Sequence, residues 1–142
     1  MKKLNKVLIV DDDSASVFLT RLVLEEMNIA QDIHTVANGK DALAFVEGNI
    51  INIPQYNDTE ENFDESPNII FLDINMPVMD GFEFLDYFEK LHASKGTDFH
   101  VVLLTTSINE RDVDKARKYN IVSYMEKPIT EEKINVIILK IR

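Results

Sequence analysis

Asn68-Ile69-Ile70-Phe71-Leu72-Asp73 holds four large apolar residues in a row, without polar alternation, closed by a carboxylate. A strand that is apolar on both faces has to be covered on both faces, which is the condition of a parallel sheet flanked by helices. Val7-Leu8-Ile9-Val10 and Val101-Val102-Leu103-Leu104 have the same character. Working outward, the strand candidates are Lys6 to Val10, Asp32 to Ala37, Asn68 to Leu72, Phe99 to Leu104 and Ile121 to Met125. Segments with helical spacing separate them, so the pattern predicts repeated strand-helix units around one sheet, an α/β fold with about five helices.

The first helix is expected to start at Asp13 or Ser14, either of which can cap, and to run to about Met27 with Phe18, Leu22 and Val23 facing the core. A short second helix follows Asn38-Gly39, with Ala42, Leu43 and Val46 inward. The third begins after Asp80-Gly81 and puts Phe84, Leu85, Phe88 and Leu91 on one buried stripe. The fourth spans roughly Asn109 to Tyr119, with Asn120 expected in the left-handed conformation that ends helices. In the last, Ile134, Ile137, Ile138 and Ile141 follow the i, i+3, i+4, i+7 rule up to the chain end, which leaves no room for an output domain. Gly48 to Pro67 breaks this rhythm: a connection of about 20 residues inside a domain is a functional loop or is partly disordered.

Composition bounds the rest. The 142 residues suit one domain, and 45% hydrophobic against 28% charged residues is a globular balance. Zero cysteines exclude disulfides, thiolate catalysis and Cys-ligated zinc. No apolar run approaches the ~20 residues of a membrane-spanning helix, and the start is too short in apolar residues for a signal peptide, so the expected location is the cytoplasm with no membrane partner. A net charge of -10 argues against nucleic acid, whose binding rests on clustered Lys and Arg. Five of the negative charges sit in Asp58, Glu60, Glu61, Asp64 and Glu65, a block that fits a solvated loop better than a docking site.

Right-handed crossovers make all strands of such a sheet point one way, so the residues after each strand gather along one edge, where ligands bind. After the first come Asp11, Asp12 and Asp13; after the third, Asp73; after the fourth, Thr105, Thr106 and Ser107; after the fifth, Lys127. An aspartate after a strand is commonly only a turn or cap, and Thr105, Tyr124 or Lys127 alone would be ordinary filler; their convergence is harder to explain as packing. Asp11, Asp12 and Asp73 packed together repel one another unless they take up protons or a cation neutralises them. A hard divalent ion such as Mg2+ suits oxygen ligands and shares its sphere with phosphate oxygens; Lys127 and Thr105 add a charge and a hydroxyl for the same group. This is phosphoryl-transfer equipment. Walker, dinucleotide and nucleophile-elbow motifs are lacking, so the phosphate is expected from another protein.

These residues resemble the receiver domains of two-component response regulators. Val7-Leu8-Ile9-Val10-Asp11-Asp12-Asp13 is similar to the first strand and acidic pair of that family, and Ile70-Phe71-Leu72-Asp73-Ile74-Asn75-Met76-Pro77-Val78-Met79-Asp80-Gly81 to its phosphoacceptor segment. Leu103-Leu104-Thr105 and Tyr124-Met125-Glu126-Lys127-Pro128 resemble its switch and lysine motifs. The resemblance covers the chain except Gly48 to Pro67. It implies a flavodoxin-like, doubly wound five-stranded parallel sheet in the order 2-1-3-4-5, forming one receiver domain over 1–142 with an acidic loop insertion at about 48–67. It further implies that Asp73 is the phosphoacceptor, with Mg2+, or Mn2+, held by Asp12 and Asp73, by Asp11 through water, and by the Asn75 backbone carbonyl. Thr105 would then bond the phosphoryl group, Tyr124 would turn inward with it, Lys127 would pair with its charge, and the Lys127-Pro128 peptide would be cis. Asp13 has no role to carry over, and helix capping is the reading for it.

The function implied is a stand-alone response regulator, phosphorylated by a histidine kinase or histidine-phosphotransfer protein and signalling to a downstream protein. That signal would leave through the face of the fourth helix, fifth strand and fifth helix, either to another chain or across a homodimer. The exposed candidates there are Ile108, Arg111, Lys115, Tyr119, Tyr124 and Lys133. A narrower resemblance, to small receivers that partner phytochrome-type histidine kinases, rests on Thr105-Thr106-Ser107-Ile108-Asn109-Glu110 and the long segment before the third strand. Three other functions compete. A phosphorelay intermediate, returning the group to another histidine, has the same residues. An aspartyl-phosphate phosphatase usually carries a second aspartate two residues after the nucleophile, where this chain has Asn75, so no enzyme beyond self-phosphorylation and self-dephosphorylation is expected. A pure interaction module often loses one of the acidic pair, Thr105 or Lys127, and all are present here.

Overall fold

The computed structural model describes residues 2–49, 66–76 and 78–141. Its elements run β1 (Leu4–Val10), α1 (Ser14–Met27), β2 (Ala30–Val36), α2 (Gly39–Gly48), β3 (Asn68–Asp73), α3 (Gly81–Lys95), β4 (Phe99–Thr105), α4 (Glu110–Ala116), β5 (Ser123–Glu126) and α5 (Glu131–Ile141). The strands form one sheet, all neighbours parallel, in the order β2-β1-β3-β4-β5. This is the flavodoxin-like receiver fold expected. Most of the 48–67 segment, including its acidic block, lies outside the described residues.

The register explains why the central strands read as unbroken apolar runs. Leu8, Ile70 and Val101 lie side by side and join Ala42, Val46, Phe84, Leu85 and Phe88 in a core under α2 and α3. Their chain neighbours Ile9, Phe71 and Val102 point the other way, into a core with Leu24, Ile134, Ile137 and Ile138 under α1 and α5. With period-2 alternation, each residue of such a strand meets one core or the other.

Two expectations about helix faces and ends need correction. Phe18 is 63% and Leu22 38% exposed, whereas Thr20 and Leu24 are buried. Between Val17 and Leu24 the helix is apolar almost all round, so spacing alone does not select a face; the sheet takes Val17, Thr20, Leu24 and Met27, at three- and four-residue steps, with Val23 partly covered. The left-handed asparagine is Asn28, at φ 53° after α1, not Asn120. There the Asn28 N–H donates to the carbonyls of Leu24 and Glu25. α4 stops at Ala116, and the Asn120 N–H donates to the Glu89 side chain of α3 at 2.7 Å.

One glycine is dictated by closeness. A β-carbon on Gly81 would stand 2.7 Å from the Ile74 α-carbon and 2.8 Å from the Asp73 carbonyl oxygen, both backbone atoms. α3 can therefore begin against the end of β3 only through a glycine, and Asp80 and Glu83 close its first turn as a reciprocal capping pair.

The corrected face of α1 has a measurable consequence. Leu24→Ala is expected to cost about 3 kcal/mol in urea unfolding, as for other large-to-small core changes, and Phe18→Ala to stay within about 0.5 kcal/mol of the wild type. Equal losses would restore Phe18 to the core.

Candidate functional site

Strand register builds the site before any side chain is considered. Val10 lies beside Leu72, so Asp11 and Asp73 follow on adjacent strands, one parallel strand spacing apart. Asp73 in turn lies beside Leu104, and Thr105 beside Glu126, so each strand to the right delivers its polar residue one step further on: Thr105, then Lys127. The Lys127 N–H donates to the Thr105 carbonyl at 2.8 Å, which continues the ladder past β5.

Asp11, Asp73 and Thr105 are buried, while Asp12 and Asn75 are exposed at the rim. Asp11, Asp12 and Asp73 each present a carboxylate oxygen within 4.8 Å of the others. Lys127 Nζ donates to Asp11 Oδ2 at 2.7 Å and to Asp73 Oδ2 at 3.3 Å. The remaining oxygens are also held: the Asp13 N–H donates to Asp11 Oδ1 at 2.9 Å, and the Asn75 N–H to Asp73 Oδ1 at 3.0 Å. Asp13 itself caps α1, accepting from the Ala15 N–H, and the Lys127-Pro128 peptide is cis.

The two buried carboxyls shift in opposite directions. Burial pushes Asp11 up, but hydrogen bonds from Lys127, the Asp13 backbone and Ser16 outweigh it and hold the carboxyl below its usual value. Burial also pushes Asp73 up, and there the help from Asn75 and Lys127 is offset by the neighbouring Asp11, so the carboxyl stays above its usual value. For Lys127, burial works against the charge, and the two aspartates more than reverse it. Lys127 thus belongs chiefly to Asp11, and Asp73 carries the uncompensated part of the charge.

The donor set fits a small hard cation. Mg2+ takes oxygen ligands at about 2.0–2.1 Å in an octahedron, which puts ligand oxygens about 3–4 Å apart. Three carboxylates already within 4.8 Å close on one ion, directly or through a water, by small side-chain rotations.

The other expected residues are brought to this edge in a different arrangement. The Thr105 hydroxyl is engaged in its own turn, donating to the Ser107 carbonyl at 2.9 Å and accepting from the Ser107 N–H at 3.2 Å. Tyr124 is half-buried, with its hydroxyl buried beside the Thr105 side chain and the Asn109 backbone. Burial, and then the Asp112 carboxylate, raise its pKa. Three of the six residues expected to be exposed on the α4, β5 and α5 face make contacts within the chain, Lys115 while remaining exposed. Lys115 sits over the Phe82 ring, Tyr119 donates to Asp86 at 2.6 Å, and Lys133 bonds the carbonyls of Glu126 and Pro128. Ile108 and Arg111 are exposed as expected. Sequence reasoning gave no role to Ser16, which bonds the Asp11 carboxylate, and placed Lys133 only on the output face, where it bonds two backbone carbonyls; neither contact has a spacing signature.

Residues 7–139 match the family model described as the response regulator receiver domain. Response regulator Rcp1 of Synechocystis is 32% identical over 123 residues, which cover 85% of this chain and 75% of that protein. Among solved structures, a two-component response regulator from Cytophaga hutchinsonii superposes with a TM-score of 0.80 at 26% identity, covering 99% of this chain and 98% of that one. The bacteriophytochrome response regulator RtBRR gives 0.69 at 26% identity, covering 96% and 77%.

The uncompensated Asp73 charge leads to a stability test. A carboxyl whose pKa is raised on folding weakens the folded state at neutral pH, and the penalty fades as pH falls through its folded pKa. Asp11 acts in reverse: its stabilisation is present at neutral pH and lost as pH falls through its lowered value. Without metal at pH 7, Asp73→Asn is therefore expected to melt at or above the wild type, the difference shrinking towards pH 4. Adding Mg2+ at ten times its dissociation constant should stabilise the wild type by about 1.4 kcal/mol, and Asp12→Asn should lose most of that gain. A metal-free Asp73→Asn protein that melts clearly below the wild type at pH 7 would contradict the assignment of charge.

Proposed function

The chain belongs to the response regulator receiver family, and from that membership we propose that Asp73 accepts a phosphoryl group from a phosphohistidine on a histidine kinase or histidine-phosphotransfer protein. The observation that carries this reading is the convergence of three carboxylates within 4.8 Å, with Lys127 reaching two of them.

In the transfer, an Asp73 carboxylate oxygen forms a bond to phosphorus as the phosphorus–nitrogen bond of the donor breaks. The histidine ring keeps the electron pair and is neutralised by solvent protons. Lys127 supplies positive charge beside the incoming oxygens, and the Asn75 N–H keeps the Asp73 carboxyl oriented. Asp12 and Asp73 would hold Mg2+ directly, Asp11 through water, and Asn75 through its carbonyl; the ion would neutralise phosphoryl oxygens.

Phosphorylation competes for the groups around Thr105. A phosphoryl oxygen would draw the Thr105 hydroxyl out of its turn with Ser107 and away from the buried Tyr124 hydroxyl, freeing the β4–α4 connection. The result is a population shift at the α4, β5 and α5 face, with Ile108 and Arg111 available to a downstream protein or a second copy. A phytochrome-type histidine kinase as partner is supported by the likeness to the bacteriophytochrome response regulator. Among the described residues no helix is long and apolar enough to cross a membrane.

Incubation with acetyl phosphate and Mg2+ is expected to add one phosphoryl mass to the wild type and none to Asp73→Asn. Equal labelling of the two would move the acceptor elsewhere. For output through a homodimer, sedimentation with beryllofluoride and Mg2+ should show a dimer that Arg111→Glu weakens at least tenfold; a protein that stays monomeric removes that route.

A further inference from the structure

Lys133 Nζ donates to the carbonyl of Glu126 at 2.6 Å and to that of Pro128 at 3.0 Å, the backbone oxygens immediately before and after Lys127. We propose that Lys133 is a positioning residue for Lys127, fixing the short segment that aims its ammonium at Asp11 and Asp73. The inference rests on the phosphoacceptor reading above and adds a residue to it.

The segment 126–128 is held from two sides. On the sheet side, the Lys127 N–H donates to the Thr105 carbonyl at 2.8 Å. Opposite it, the clamp comes from the first turn of α5, whose Ile134, Ile137 and Ile138 are buried and anchor the helix. Between those anchors β5 has only four residues and is followed at once by Lys127. An ammonium suits the joint, since one nitrogen with three donors can serve two carbonyls, and its charge strengthens both bonds. A lysine kept only for solubility would extend into water or pair with a carboxylate. Lys133 instead curls back onto the backbone and makes no ion pair among the described residues.

The Lys127 contacts leave little slack: its bond to Asp11 is 2.7 Å and that to Asp73 already 3.3 Å. A shift of about 1 Å in the 126–128 backbone would break the longer one, and displacements of that size cost up to about a hundredfold in rate at other sites.

The test compares wild type, Lys133→Met, Lys133→Arg and Lys127→Ala in two assays. In acetyl phosphate labelling with saturating Mg2+, Lys133→Met is expected to lower the maximal rate about tenfold, with the half-saturating acetyl phosphate within about twofold and recovery in Lys133→Arg. In nitrogen-detected NMR of lysine side chains without phosphate, the Lys127 ammonium signal should be sharp in the wild type, broadened in Lys133→Met and restored in Lys133→Arg. Should Lys133→Met fail to fold, Lys133→Gln, which keeps one donating amide, should fall between. A Lys133→Met protein with wild-type rate and a sharp Lys127 signal overturns the proposal, as does a loss that Lys133→Arg leaves in place. A wild type that takes no label defeats the phosphoacceptor reading, while the NMR comparison still decides where Lys133 acts.

Discussion

Three carboxylates at one sheet edge repel, and among the described residues one ammonium, that of Lys127, pairs with the two buried ones. Lys127 is shared unequally, close to Asp11 and more distant from Asp73. The pair therefore splits into an aspartate that is comfortably charged and one whose charge is only partly met, as the opposite directions of their pKa shifts express. Under the proposed reading, an incoming cation or phosphoryl group would find its place at the second of these. Burial and the neighbouring Asp11 keep the Asp73 carboxyl raised despite its bonds from Asn75 and Lys127.

Backbone geometry sets the alignment behind this imbalance. The parallel register brings Asp11 and Asp73 to neighbouring positions and steps Thr105 and Lys127 beyond them. Gly81 allows α3 to start in contact with the Asp73 carbonyl, and the Asn75 N–H is held on the Asp73 carboxylate. The two cores, one on each face of the sheet, hold the strands at these offsets, and a slip of one residue would exchange every core side chain between faces. Packing and chemistry are thus set by the same alignment of strands.

Much of this was legible in the residues. Unbroken apolar runs ending in Asp, Thr and Lys announced a parallel sheet with a polar edge, and the four receiver-like segments identified which polar residues meet. Three things were not legible. Helix α1 offers more apolar residues than one face can bury, so Phe18 and Leu22 were indistinguishable from Leu24 until the sheet was present. Asn120 looked like a helix-ending residue because the Glu89 carboxylate that receives its N–H is 31 residues away in sequence. The engagement of Lys115, Tyr119 and Lys133 within the chain followed from neighbours that only the tertiary fold supplies, an aromatic ring, a carboxylate and two carbonyls.

The strand order also bears on how the chain comes together during synthesis. Of the five strands β1 is made first, yet it lies inside the sheet, with β2 on one side and β3 on the other. The α1–β2 unit can pair with it early, but its second edge has no mate until residue 73 has been made and has left the ribosome. During that interval the hydrogen-bonding groups of a wholly apolar strand, Val7 to Val10, are open on one side. Parallel pairing between distant segments is intrinsically slow and exposed to association with other chains. The 48–67 connection lengthens this delay, so a shorter connection there is expected to raise the soluble yield of the nascent protein.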